Sequence, residues 1–260
     1  MGNPPTFVNE ESLTELFASL VWDAIPRKNG CKHPLVMREV DCNRGRADIV
    51  CAVSHDNNFD LHKASHLGIA LSEFTKACIL SWLNKSSLRT ETYIQEMTGL
   101  GQKTIRKHLR GLIEAGLVDT TTSGLFRLAK SFALPNIEIW SFEVKLHDWK
   151  RAFYQALRYR GFSHRIIVVM PAENLKIPTK NINLFKEMNI GLMSIDQHGK
   201  LEFIEKPLRE KPSSKKHYLY ALGQVISEFC RLYPDYRYKS KAHAVPQLKG
   251  LFSQDLFHIR

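Results

Sequence analysis

The chain has 260 residues, a formal net charge of +11 and 43% hydrophobic residues, which is ample for a packed core. No apolar run approaches the roughly 18 residues that a transmembrane helix needs, so the sequence predicts no membrane span. The basic charge favours a polyanionic partner, most simply nucleic acid, and a soluble protein that is merely basic is the alternative. No signal peptide is recognisable, and the five cysteines are scattered without paired spacing. We therefore expect a cytoplasmic protein in a reducing compartment.

The N-terminal part predicts one helix followed by a β-hairpin. Residues 10–22 carry apolar side chains at helical spacing. Residues 34–40 and 47–53 have the composition of short strands, and the basic turn at 43–46 joins them. Asp48 lies near the start of the second strand.

Residues 64–134 have a different, helix-rich pattern. The predicted elements are helices at 67–83, 90–97 and 102–115, then strands at 117–118 and 125–128. Helix, helix, turn, helix and hairpin is the order of a winged helix-turn-helix. We therefore predict that 64–134 form a DNA-binding domain of this type.

The third of these helices is the expected recognition helix. Its apolar face, Ile105, Leu109, Leu112 and Ile113, is predicted to be buried, and the segment 109–118 resembles the end of the recognition helix in MarR-like and ArsR-like winged helices. The residues left to contact double-stranded DNA are Gln102, Lys103, Thr104, Arg106, Lys107 and Arg110. Such side chains pair with adenine, guanine or phosphate. A protein–protein module is the alternative.

An α/β pattern resumes after Pro135. The predicted elements are strands at 137–146, 165–170, 190–195 and 201–204 and helices at 147–160 and 182–188. Residues 207–216 are predicted to be a linker. Residues 217–232 are apolar at helical spacing, and a basic, aromatic tail follows.

The sequence Glu143-Val144-Lys145 lies at the end of an apolar strand. A carboxylate and a lysine separated by one residue on a strand point to the same face of the sheet. A carboxylate can bind a divalent cation, and a lysine beside it can stabilise developing negative charge. Asp48, on a neighbouring strand, is the candidate for the second acidic ligand. This pattern predicts metal-dependent cleavage of a phosphodiester.

Asp48 and Glu143-Val144-Lys145 together resemble the PD-(D/E)xK nuclease superfamily. Gln155 and Tyr159 fit the QxxxY signature that follows the catalytic strand in many members, and Glu15 matches an acidic residue on the first helix. Ala47 stands where the superfamily name has proline. The resemblance implies the restriction-endonuclease-like fold, a mixed central sheet flanked by helices. It covers about 1–63 and 135–206.

The interval between Asp48 and Glu143 is much longer than the superfamily pattern. We explain it by insertion of the winged-helix domain between two core strands, since insertions are tolerated where chain ends meet at the surface. The expected organisation is 1–63 and 135–206 as the nuclease core, 64–134 as the insertion, and 207–260 as a linker and C-terminal helical and basic segment.

The resemblance also implies roles for the candidate site residues. Asp48, Glu143, the Val144 carbonyl and Glu15 would bind Mg²⁺, for which Mn²⁺ would substitute. Lys145 would orient or deprotonate the attacking water or stabilise the phosphorane, and Gln155 would hydrogen-bond Lys145 or that water. Arg44 and Arg46, in the basic turn, would contact the phosphate backbone. Many relatives act as dimers, so a homodimer is a further expectation.

Several structural alternatives stay open at this point. Glu143 and Lys145 could form a surface ion pair, Asp48 could cap a turn, and Glu15 could be a solvated helix residue. Gln155 and Tyr159 could be ordinary helix neighbours. At the level of function, the alternatives are a non-catalytic DNA-binding regulator and a subunit of a transposition or defence complex on a nuclease-like scaffold.

Overall fold

The computed structural model describes residues 7–25, 35–43, 45–54 and 61–232, with the side chains of 61–64 excepted. The strands are β1 (Leu35–Asp41), β2 (Arg46–Ser54), β3 (Val118–Thr120), β4 (Phe126–Leu128), β5 (Ile137–Val144), β6 (Arg165–Pro171), β7 (Gly191–Ile195) and β8 (Leu201–Glu205). The α-helices are α1 (Glu10–Ala24), α2 (Leu61–Leu71), α3 (Phe74–Ser81), α4 (Glu91–Thr98), α5 (Gln102–Glu114), α6 (Trp149–Leu157), α7 (Lys176–Lys180), α8 (Ile182–Glu187) and α9 (Lys215–Leu232).

Six strands form a mixed sheet in the order β1-β2-β5-β6-β7-β8. The first two pairings and the last are antiparallel, whereas β5, β6 and β7 run parallel. β2 and β5 are direct neighbours although residues 55–136 separate them in the chain. The prediction of an α/β protein with a mixed central sheet flanked by helices is therefore confirmed.

Helix α1 packs on one face of this sheet. Leu13, Phe17 and Val21 share an apolar core with side chains from β2, β5, β6 and β7. The Phe17 and Phe142 rings meet edge to face, with centroids 5.1 Å apart. Every residue of β5 is buried, as expected for a central strand covered on both faces.

The opposite face of the sheet is covered by α6 and by α9. Phe153 and Ala156 of α6 and Leu222 and Ile226 of α9 belong to one apolar core, which continues into the helix-rich segment through the buried face of α5. Helix α9 also packs against α2 and α3. The predicted insertion and the predicted C-terminal segment thus share a core with the sheet.

The helix predicted over 67–83 is two helices in the structure. α2 ends at Leu71 and α3 begins at Phe74, with Glu73 in an extended conformation between them. A methyl group added to Gly223 of α9 would lie 2.3 Å from the Leu71 carbonyl carbon and from the Ser72 nitrogen. The break therefore lies where α9 approaches the backbone most closely, and it lets α2 and α3 both pack on α9.

Helices α3, α4 and α5 are followed by the two-stranded sheet β3–β4. Thr90 caps α4 by accepting a hydrogen bond from the Tyr93 N–H, and Gly99 ends it in the left-handed conformation with φ 69°. Both are common ways to satisfy helix ends. The buried face of α5 contains Ile105, Leu109 and Leu112.

The segment predicted as a linker, 207–216, is tied to the sheet. The Glu210 N–H donates to the His164 carbonyl at 2.9 Å, and the Ser213 N–H donates to the Arg160 carbonyl at 2.9 Å. Arg209 pairs with the buried Glu138 at 3.4 Å. These contacts lead the chain across the sheet into α9.

None of the helices in the described ranges combines the length and the apolar character that crossing a bilayer requires. Cys42, Cys51 and Cys78 are buried free thiols, and Cys230 is a half-buried one. Cys31 and the basic tail from 233 lie outside the described residues.

Candidate active site

The candidate site lies where β2 begins and β5 ends. Ile49 is paired with Phe142 in the antiparallel register, so one further step sets Asp48 beside Glu143. The Asp48 Oδ2 accepts a hydrogen bond from the Val144 N–H at 2.7 Å. The structure thus brings together the two carboxylates that the sequence motif required, despite the long segment between them. Asp48 bonds to the end of β5 and does not merely cap its own turn.

Glu143 is the most deeply buried carboxylate of the site, with 1% of its surface exposed. Its Oε2 accepts a hydrogen bond from the Tyr159 hydroxyl. Its Oε1 is buried and has no hydrogen-bond partner among the described residues, although the Lys145 Nζ lies 3.7 Å away. Burial, with the nearby Asp48 carboxylate, raises the pKa of Glu143 to about 7. Burial likewise raises the pKa of Asp48.

Tyr159 connects Glu143 to the turn between β1 and β2. Its buried hydroxyl lies within hydrogen-bond distance of Glu143 and also 2.8 Å from the Arg46 carbonyl oxygen. Burial and the negative charge of Glu143 raise the pKa of Tyr159, so it remains a neutral phenol. A phenol has one proton and donates to one of these acceptors at a time.

Lys145 lies on the same side of β5 as Glu143, at the rim of the site. Its Nζ is 2.5 Å from the Glu10 Oε2, and 14% of its side chain is exposed. Burial lowers the pKa of Lys145, but the hydrogen bond to Glu10 and the carboxylates of Asp48, Glu10 and Glu143 outweigh burial and raise it. Lys145 is therefore a charged ammonium that can neutralise negative charge, and it is poorly suited to accept a proton.

Glu10 is the acidic residue of α1 that reaches the site, and sequence reasoning missed it in favour of Glu15. Glu15 is exposed on α1, whereas Glu10, in the first turn, contacts Lys145. The signal was present in the helical spacing, because Glu10 continues the buried stripe of Thr14, Phe17 and Val21 at intervals of three and four residues. Glu15 falls outside that stripe.

Gln155 lies on α6, four positions before Tyr159. Its Oε1 is buried without a hydrogen-bond partner among the described residues. Buried amide oxygens are normally satisfied, so this atom, like the Glu143 Oε1, is available to a ligand or to ordered water. The side chains of Gln155 and Tyr159 thus differ: Tyr159 contacts Glu143 directly, whereas the Gln155 Oε1 has unused hydrogen-bonding capacity.

The basic turn at the rim is described only in part. Arg46 is exposed and forms an ion pair with Glu39 at 2.9 Å. Gly45 has φ 126°, a conformation that other residues rarely adopt, and packs beside the Arg158 and Tyr159 side chains. Arg44 lies outside the described residues.

The oxygen donors of the site fit a hard divalent cation. Asp48, Glu143 and the Val144 carbonyl would supply the protein ligands, and Mg²⁺ commonly combines one or two carboxylates with several waters. The unsatisfied buried Oε1 of Glu143 is the observation that favours such a ligand. The described residues contain no cluster of three or more His, Cys, Asp or Glu side chains suited to a metal. Waters would have to complete the coordination shell.

The residues predicted to contact DNA on α5 lie along its outer face. Gln102, Lys103, Lys107 and Arg110 are exposed, and Thr104 is half-buried. Arg106 is also exposed, but its guanidinium pairs with the Glu91 carboxylate of α4 at 3.0 Å. Three cations of this face therefore have no carboxylate partner within the described part of the chain.

The chain matches no protein-family model, no curated protein and no solved structure. The resemblance to the PD-(D/E)xK superfamily therefore stays a prediction from the sequence motifs.

Proposed function

We propose that this protein is a metal-dependent deoxyribonuclease of the PD-(D/E)xK type, which hydrolyses phosphodiester bonds within DNA. The observation that carries the proposal is the meeting of Asp48 and Glu143 at adjoining strand ends, with Lys145 at the rim. These residues are distant in sequence, and the pairing of β2 with β5 makes them neighbours. A surface ion pair would not need a carboxylate that is 1% exposed.

The oxygen atoms of Asp48, Glu143 and the Val144 carbonyl would hold Mg²⁺, or Mn²⁺ in its place. When bound, the cation would supply Lewis acidity and a water of lowered pKa for attack on phosphorus. Binding requires Glu143 as a carboxylate, and the hydrogen bond from Tyr159 stabilises that form. Tyr159 also fixes the carboxylate against the turn that leads into Asp48.

Lys145 would neutralise the negative charge that accumulates on the phosphate oxygens as water attacks. Because Lys145 is held as an ammonium by Glu10, this role fits better than that of a general base. Preorganised charges of this kind contribute most where water is largely excluded. Gln155 would orient the attacking water through its unsatisfied Oε1.

The helix-rich segment would hold the duplex as a winged helix-turn-helix. The order of α3, α4, α5 and β3–β4 supports this part of the proposal, together with the exposed basic face of α5. Lys107 is exposed and has no carboxylate partner among the described residues, whereas Arg106 is engaged with Glu91. Replacing both by alanine should weaken duplex binding and flatten its dependence on salt, since each phosphate contact contributes about 0.9 to the slope.

The deciding experiment is a cleavage assay with Mg²⁺ or Mn²⁺ on supercoiled, linear, nicked, branched and single-stranded DNA. We expect metal-dependent cleavage by the wild type. Asp48→Asn and Glu143→Gln should remove cleavage and leave DNA binding intact. Glu202→Gln, on the exposed side of β8, is the matched control and should cleave normally. Tight binding without cleavage on every substrate would replace this proposal with a non-catalytic DNA-binding regulator.

A further inference from the structure

One face of α6 carries a stripe of exposed cations around an exposed tyrosine. The stripe consists of Lys150, Arg151 and Tyr154 on α6 and of Arg158, the residue directly after its last turn. Their spacing of three and four residues aligns the side chains along a single helix face. Tyr154 is 63% exposed, and one side of its ring meets the buried Phe153 ring edge to face, with centroids 5.8 Å apart.

The three cations of this α6 stripe have no carboxylate within ion-pair distance in the described residues. Two exposed arginines elsewhere do have such partners: Arg46 pairs with Glu39, and Arg231 pairs with Glu228. The nearby Asp148 carboxylate accepts a hydrogen bond from the Arg151 N–H and serves as the cap of α6. The stripe therefore projects positive potential into solvent.

The C-terminal end of α6 connects the stripe to the candidate active site. Tyr159, two residues after the end of α6, donates a hydrogen bond to Glu143. The aliphatic part of Arg158 packs against Gly45, in the turn that precedes Asp48. The C-terminal end of the stripe thus lies at the turn that borders the site.

We propose that the α6 stripe binds the phosphate backbone of the DNA substrate next to the bond that is cut. This inference rests on the proposed nuclease function and assigns a substrate contact to residues outside the metal site and outside α5. From residue 150 to residue 158 an α-helix rises about 12 Å, enough to contact more than one phosphate. The Tyr154 hydroxyl would donate to a phosphate oxygen between the cations, as tyrosine commonly does at DNA backbones.

The test compares two double variants, one that lacks two positive charges of the stripe and one that lacks two positive charges elsewhere on the surface. Arg151→Gln with Arg158→Gln is the test variant. Lys206→Gln with Lys211→Gln is the control, because both lysines are exposed and follow β8 at the end of the sheet remote from Glu143. Duplex affinity is measured in chelator over a range of salt concentrations, and cleavage is measured with Mg²⁺.

We expect the test variant to lower the slope of log affinity against log salt by about two, and the control to leave it unchanged. Cleavage at limiting DNA should fall by at least tenfold in the test variant alone. If the test variant binds and cleaves like the control, the proposal that the stripe contacts DNA is wrong, whereas the proposed nuclease function stands. A wild type that binds DNA but never cleaves overturns the proposed function, and the salt slopes still decide whether the stripe contacts DNA.

A photo-crosslinking residue at position 154 gives an independent readout. Crosslinks to a short labelled duplex in chelator are expected at position 154 and not at position 206. Crosslinking to an acidic peptide in preference to the duplex would overturn the assignment to DNA.

Discussion

The Tyr159 hydroxyl donates a hydrogen bond to the Glu143 carboxylate, 16 positions earlier in the chain. This contact is the single hydrogen bond to the Glu143 side chain within the described residues. It opposes burial and the Asp48 carboxylate, and the pKa that results is about 7. The ionisation of Glu143 thus depends on Tyr159, and ionised Glu143 is the form that would bind the proposed cation.

Tyr159→Phe should therefore raise the pKa of Glu143 above its present value. The ring would still fill its place in the core, so the fold should survive with a loss of about 1 kcal/mol. We expect the acid limb of the pH–rate profile for cleavage to move to higher pH. Rates at high pH should approach those of the wild type. An acid limb that does not move would show that Tyr159 has no part in the ionisation.

The raised pKa of Glu143 also predicts how stability changes with pH in the absence of metal. The ordinary glutamate value is 4.5 and the folded value is about 7. Between these values the folded state binds a proton that the unfolded state lacks. The stabilisation is therefore complete below the unfolded value and is lost as pH rises through about 7.

Glu143→Gln removes this titration and gives the measurement. In chelator at about pH 8, we expect the variant to have a higher Tm than the wild type. Its unfolding free energy should be larger by at most about 3 kcal/mol. The difference should be small at about pH 4, where the wild-type carboxyl is protonated in both states. A difference that is the same at both pH values would contradict the assigned pKa.

Glu10 and Glu15 offer a matched pair of substitutions on one helix. Glu10→Gln removes the hydrogen-bond partner that contributes most to raising the pKa of Lys145. We expect the alkaline limb of the cleavage profile to move to lower pH, because Lys145 then loses its proton more readily. Glu15→Gln, on the exposed side of α1, should leave the profile unchanged. If Glu15→Gln moves the alkaline limb and Glu10→Gln does not, Glu15 is the acidic residue of α1 that acts at the site, as the sequence predicts.

Alanine substitutions at Gly223 and Gly111 should change the stability in opposite directions, and the change at Gly223 tests how closely α9 packs on α2. Alanine is normally better than glycine within a helix by about 1 kcal/mol. At Gly111 the added methyl would meet Lys76 at 3.8 Å, an ordinary contact, so Gly111→Ala should stabilise. At Gly223 it would meet the α2 backbone at 2.3 Å, so Gly223→Ala should destabilise by about 1–3 kcal/mol or more.

Urea unfolding of both variants measures the two effects. An equal gain in stability for Gly223→Ala and Gly111→Ala would mean that α9 does not approach α2 as closely as described. Because α9 also covers the sheet, loss of its packing should broaden the unfolding transition for Gly223→Ala.

The strands and helices near the site were predictable because their side-chain periodicity is strong. Residues 137–144 are mostly apolar, as in a buried strand, and the charged residues Glu143 and Lys145 stand out at the end of that run. The pairing of β2 with β5 was inferred from the chemistry of Asp48 and Glu143, since antiparallel neighbours cannot be recognised from spacing alone when a long segment separates them.

What sequence reasoning missed depends on tertiary contacts. The break between α2 and α3 follows from the close approach of Gly223, which no local propensity encodes. The sequence does not predict the contact of Glu10 with Lys145, because that contact comes from the position of α1 across the end of the sheet. The tie between 207–216 and the sheet likewise uses backbone groups whose partners are remote in sequence.

The adjacency of β2 and β5 has a consequence for the order of events at the ribosome. Asp48 is synthesised well before Glu143, and the whole helical segment is made in between. The nascent chain therefore contains Asp48 without Glu143 until translation has passed residue 143. Hydrolytic capacity would arise late, after the intervening helices have emerged to close the loop between the two strands.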